Sequence, residues 1–144
     1  MAPEQTMARL VDFFEHLSPA DLSRIGGLYA ADARFKDPFN EVQGVPAIAH
    51  IFRHMFETLH EPRFVVTGQV LQGNQCFLTW DFLFRFKGFK QGETQTVRGA
   101  THIVLDPQGR VSLHRDYWDA AEELYEKLPM VGSLVRWLKR RANR

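Results

Sequence analysis

The chain has 144 residues, a formal net charge of +1 and a single cysteine, Cys76, with 44% hydrophobic and 24% charged residues. That length holds one sizeable core rather than two, and the composition excludes a disordered, collagen-like or disulfide-scaffold chain. A lone cysteine neither closes an internal disulfide nor builds a thiolate metal site.

Charge is unevenly spread. Residues 136–144 carry Arg136, Lys139, Arg140, Arg141 and Arg144 and no acid, which leaves −4 for residues 1–135. Such a terminal run reads first as a solvated one, and no nucleic-acid partner is expected. The opening segment, residues 1–6, has neither the basic stretch nor the apolar run of a secretory signal. No run of about 18 apolar residues occurs either, so a cytoplasmic protein without a membrane span is expected.

Met7, Leu10, Val11, Phe14 and Leu17 recur at helical spacing and predict a first amphipathic helix. Ser18-Pro19-Ala20-Asp21 has the cap, the early proline and the acid of a helix start, predicting a second helix through Leu22, Ile25 and Tyr29 to Ala33. A short strand from Ala33 to Phe39 is closed by Asp37-Pro38, and Asn40 to Gly44 reads as a loop. From Pro46 the set Ile48, Ile51, Phe52, Met55, Phe56 and Leu59 predicts an amphipathic helix that stops before Pro62.

Beyond Pro62 the apolar period changes from 3.6 to 2. Phe64–Leu71, a turn at Gly73-Asn74 and Cys76–Phe86 predict an antiparallel hairpin, with Leu78, Trp80, Phe82, Phe84 and Phe86 on one face. A third long strand spans Glu93–Leu105, and a turn at Asp106-Pro107-Gln108-Gly109 leads into a last strand, Arg110–Trp118. Helical spacing returns from Asp119, and Met130, Val131, Leu134, Val135 and Leu138 predict an amphipathic tail helix. The expected architecture is α+β: a domain over residues 1–126 and a basic helix over 127–144.

Leu28-Tyr29-Ala30-Ala31-Asp32-Ala33-Arg34-Phe35-Lys36-Asp37-Pro38, placed after two helices, resembles the nuclear-transport-factor-2-like superfamily. The chain is most similar to its SnoaL-like and ketosteroid-isomerase-like members. The resemblance implies a cone-shaped, curved antiparallel sheet closed by three N-terminal helices around an apolar cavity. It also implies a homodimer through the outer sheet face. It does not imply one chemistry, since this fold carries isomerases, cyclases, hydrolases and non-catalytic modules.

Two acids stand out against that resemblance. Phe35-Lys36-Asp37-Pro38 is similar to the stretch in which ketosteroid isomerases carry their general base, which points to Asp37. The isomerases' oxyanion-stabilising tyrosine and acid would fall on Phe13 and on Thr101, beside His102. His114-Arg115-Asp116-Tyr117-Trp118-Asp119 resembles the segment in which limonene-epoxide-hydrolase-like proteins carry the acid that activates water, which points to Asp116. Their Arg-x-Asp pair has only the reversed Asp81 and Arg85 here, and their water-holding positions fall near Phe35 and Asp37.

Plainer roles stand beside these. Asp37 would bond backbone at the strand end, and Asp116 would pair with Arg98 or Arg115 across the sheet. Two inward registers are open. One turns Arg98, Ala100 and His102 inward with Ser112, His114, Asp116 and Trp118; the other turns Thr101 and Ile103 inward, and a bulge would be needed to reconcile them. In the first, Asp37, Arg98, His102 and Asp116 form a catalytic group in a pocket walled by Phe14, Met55, Leu59, Trp80 and Trp118.

His50 and His54, spaced i, i+4, read as a solvated helix face; no metal and no cofactor are expected, and Cys76 reads as buried. The expected function is general acid/base isomerase, cyclase or hydrolase chemistry on a small apolar organic molecule. The alternative is a non-catalytic ligand-binding or dimerisation module of the same fold.

Overall fold

The computed structural model describes residues 2–88, 92–123, 137 and 140–142. The expected tail helix over residues 130–138, and with it the boundary at 126/127, lies outside the described residues apart from Trp137. Among the described residues no helix is long and apolar enough to cross a membrane.

Helix α1 (Pro3–Glu15) turns Met7, Leu10, Phe13 and Phe14 into the core. A 3₁₀ turn (Pro19–Arg24) follows, its start fixed by Asp21, whose Oδ2 accepts from the Ser18 N–H (3.0 Å) and hydroxyl (2.8 Å). Here the chain departs from expectation. Helix α2 is only Ile25–Leu28, and strand β1 (Tyr29–Lys36) begins four residues before the predicted Ala33. Gly26-Gly27 is a weak helical pair, and Tyr29 gains more by burying its ring beside the last strand.

The expected 40–44 loop contains a short strand, β2 (Glu41–Gln43), antiparallel to β1. Helix α3 (Val45–Thr58) buries Ile48 and Phe52 and is succeeded at once by β3 (Leu59–Gln72), a strand that takes in Pro62. Strands β4 (Gln75–Phe86), β5 (Gln95–Leu105) and β6 (Val111–Tyr117) complete an antiparallel meander, and a short helix, α4 (Ala120–Glu123), follows.

The six strands form one curved, unclosed sheet in the order β2-β1-β6-β5-β4-β3, with β1 parallel to β6. Register shifts in β3 between His60 and Arg63 and between Val66 and Gly68 bend that strand, and Glu61 takes a left-handed φ of 49° at the first. The concave face carries Leu78, Trp80, Ile103 and Val111, all buried in one core cluster with residues of α1 and α3. A bond from the Val66 N–H to Glu15 Oε2 (3.0 Å) ties α1 to β3.

Candidate active site

Between α3 and the concave face lies a cavity of about 560 Å³. Met55, Leu59, Trp80 and Trp118 wall it, together with Phe64 and Phe82. Phe39 meets Trp118 edge-to-face at the rim, with ring centroids 5.5 Å apart. A recess of about 20 Å³ reaches further in, and there, not in the main chamber, Phe14 contributes its ring. The same mixture of apolar wall and few polar groups marks small-molecule sites generally.

Asp116 lies at the junction of chamber and recess, its side chain 15% exposed. Its Oδ1 accepts two hydrogen bonds, one from the Thr101 hydroxyl (2.6 Å) and one from His114 Nε2 (2.8 Å). Thr101 is itself held by the Trp80 indole N–H (2.7 Å), and His114 Nδ1 meets the Tyr29 hydroxyl at 2.8 Å. Among the described residues Oδ2 has no such partner, and no fully buried polar atom is left unpaired, so Oδ2 is the oxygen presented to the cavity. One carboxylate oxygen is fixed and the other is free.

Strand pairing explains how these groups meet. Thr101 lies opposite Asp116, and Ile103 opposite His114, so the inward face of β5 is the Thr101/Ile103 set while β6 turns His114 and Asp116 in. The two registers that the sequence set in opposition are thus combined, and the β5–β6 pairing carries a register shift between Val104 and Leu105. Arg98 and His102 are corrected by the same pairing: they occupy the outer face. Arg98 bonds Glu123 (3.0 Å), and His102 stacks on Phe77 (4.4 Å) and meets Gln75 (2.9 Å).

Asp116 makes no ion pair with Arg98 or Arg115; Arg115 lies over the Tyr117 ring instead (4.6 Å). Arg85, the other half of the reversed hydrolase pair, is bound to Glu61 at 3.0 Å. His50 and His54 are exposed, as expected for a solvated face, yet both line the cavity rim. Among the described residues no group of three or more His, Cys, Asp or Glu is placed to hold a metal ion.

Asp37 also reaches the cavity, but its Oδ1 accepts from the backbone N–H groups of Phe39 (2.8 Å) and Asn40 (2.7 Å). This closes a turn that carries Phe39 to the rim. Asp37→Ala is therefore expected to cost about 1 kcal/mol in chemical denaturation, with Asp37→Asn costing less because an acceptor remains.

Burial, and next the negative charge of Asp116, push the Tyr29 phenol well above its ordinary value of 10.0, so the hydroxyl keeps its proton. An unfolded tyrosine gives up that proton near pH 10 while the folded one does not, so above that pH the folded state binds more protons and stability falls as pH rises. In Tyr29→Phe this alkaline loss is expected to flatten, as read from urea midpoints at about pH 8 and about pH 10.5. Burial likewise raises the Cys76 thiol, which stays protonated in the core.

Residues 10–114 match the SnoaL-like domain. None of the curated proteins matches the chain. Among solved structures, a hypothetical protein with a ketosteroid isomerase-like fold from Catenulispora acidiphila, in complex with trimethylamine, is 16% identical over 83% of this chain and 88% of its own, with a TM-score of 0.69. An NTF2-like protein of unknown function from Burkholderia pseudomallei is 18% identical over 85% and 95%, with a TM-score of 0.71. An LEH-like epoxide hydrolase from M. tuberculosis is 13% identical over 84% and 85%, with a TM-score of 0.66. At such identities these structures establish a shared fold and nothing finer. The family match covers most of the chain, and the protein belongs to the SnoaL-like domain family.

Proposed function

We propose that the protein takes a small apolar organic molecule into its cavity and that Asp116 acts on it as a general base. The observation that carries this reading is the Asp116 carboxylate, with Oδ1 fixed by Thr101 and His114 and Oδ2 free toward an aromatic chamber. A carboxylate held in one orientation against a bound molecule is placed to lift a proton from an activated carbon or from water. On carbon, the C–H bonding pair stays with the substrate and the proton rests on Oδ2; its return to carbon completes an isomerisation or an exchange, whereas in a cyclisation the pair forms the new C–C bond and the proton passes to the oxygen of the carbonyl attacked. Trp80 and Trp118 form the wall, and Asp37 shapes the rim.

The test is hydrogen exchange at the activated methylene of 2-tetralone in D₂O, followed by NMR, with binding read from tryptophan fluorescence. Wild-type protein accelerating exchange, with Asp116→Asn binding but not accelerating it, supports the reading. Equal rates in the two proteins sink it.

One observation favours the alternative, a binding module without chemistry. The Thr101 hydroxyl is spent on Asp116 and Phe13 is a buried hydrocarbon, so neither can donate to a developing oxyanion. Binding of 2-tetralone without faster exchange would establish it.

We further propose a homodimer through the outer sheet face. There Val70 and Phe77, 67% and 48% exposed, are neighbours across β3 and β4, and the row continues through His102 to Arg115. Phe77→Asp is expected to convert a dimer to a monomer in sedimentation velocity without loss of helix or strand signal; an unchanged mass would refute this interface.

A further inference from the structure

Tyr29 opens β1 fully buried, and the imidazole it touches lies 85 residues further along the chain. That imidazole is enclosed by rings: Phe35 at 4.7 Å, Phe14 at 5.7 Å and Tyr29 itself, nearly parallel, at 6.0 Å. Among the described residues its hydrogen-bond partners are the two at its nitrogens, Tyr29 oxygen at Nδ1 and Asp116 Oδ1 at Nε2.

Three proton arrangements can be compared. With the ring proton on Nδ1, a bare Nε2 lone pair would face the Asp116 oxygen, and two acceptors would meet at 2.8 Å. With both nitrogens protonated, Nδ1–H would donate to the phenol, and the phenol hydrogen would have no acceptor among the described residues. With the proton on Nε2 alone, the phenol donates to Nδ1, Nε2–H donates to Asp116, and every group is matched. The buried phenol keeps its hydrogen, so it is available as that donor.

We propose that Tyr29 and His114 are positioning residues for Asp116: the phenol fixes His114 as the neutral Nε2–H imidazole, which together with Thr101 holds Oδ1 and confines proton uptake to Oδ2. This rests on the reading of Asp116 as the base. The two ends of the device come from different parts of the chain, Tyr29 from the first strand and His114 from the last, joined by the parallel β1–β6 pairing. Neither residue touches the substrate's reacting atoms in this scheme; both act through the carboxylate.

The experiment is ¹⁵N NMR of the histidine side chains together with 2-tetralone exchange, in wild type, Tyr29→Phe, His114→Gln and His114→Leu. His114 is expected to show a protonated Nε2 and a hydrogen-bonded, unprotonated Nδ1, and Tyr29→Phe to move the Nδ1 resonance downfield as its donor is lost. Exchange should fall about tenfold in Tyr29→Phe with the dissociation constant of 2-tetralone unchanged, since a small misplacement of the base is costly. His114→Gln, which keeps an N–H donor, should stay within about threefold of wild type, and His114→Leu should lose about tenfold or more.

A proton on Nδ1, a doubly protonated ring, or an Nδ1 resonance unmoved by Tyr29→Phe would overturn the inference even where Asp116→Asn abolishes exchange. Wild-type exchange in Asp116→Asn would overturn the base reading, and the positioning role with it.

Discussion

Asp116→Asn is expected to leave the fold standing and to slow 2-tetralone exchange by at least about 100-fold, the lower end of what a positioned base supplies. The amide oxygen still accepts from Thr101 and His114, whose donors lie 2.6 and 2.8 Å from Oδ1, so the buried hydroxyl and imidazole stay partnered. What is lost is the second oxygen, replaced by an amide nitrogen with no lone pair for a proton. Asp116→Ala separates structure from chemistry in the other direction. It strands two buried donors, and a cost of about 1–3 kcal/mol in denaturant is expected on top of the same loss of exchange. An Asn variant as destabilised as the Ala variant would mean that Oδ2 has a structural partner, contrary to the arrangement described.

Gly99→Ala is the second large effect, and it arises from a residue without a side chain. Gly99 lies opposite Trp80 across β4 and β5, and the indole lies over it on its way to Thr101. A Cβ at Gly99 would come within 2.4 Å of the Trp80 ring and within 2.9 Å of two further ring atoms. The indole cannot yield at its far end, because that part of the ring is where the conflict lies. It must swing as a whole, and overpacking of this kind costs about 1–3 kcal/mol. The shift would also draw Nε1 away from Thr101 and loosen the hydroxyl that donates to Asp116. We expect a lowered urea midpoint and slower exchange from a position outside the linings of the chamber and its recess. A variant with wild-type stability and wild-type Trp80 fluorescence would show that the strand accommodates the methyl group.

Much of this could be read from residue order, and the misses have physical reasons. Periodicity located α1, α3 and the β3–β4 hairpin because each buries one continuous face, and that pattern is local. It placed Tyr29 on a helix because Leu22, Ile25 and Tyr29 keep helical spacing; what pulls Tyr29 into a strand is His114, and no local window contains both. Asp116, Trp80 and Trp118 were legible as cavity residues from strand parity and the resemblance at 114–119. Arg98 and His102 were not, since alternation fixes which residues share a face but not which face turns inward. Apolar Val97, Ile103 and Leu105, all buried, carried the better signal on β5.

The parallel seam between β1 and β6 has a consequence for how the molecule is made. The polar groups around Asp116 come from four strands, and Tyr29 stands 85 residues from the His114 it touches, so the nascent chain has no complete pocket until β6 docks beside β1. Closures between such distant segments come late and slowly in folding. Ligand capture should accordingly report completed assembly: a chain halted before β6 can build its hairpin and helices and still be blind to any small molecule.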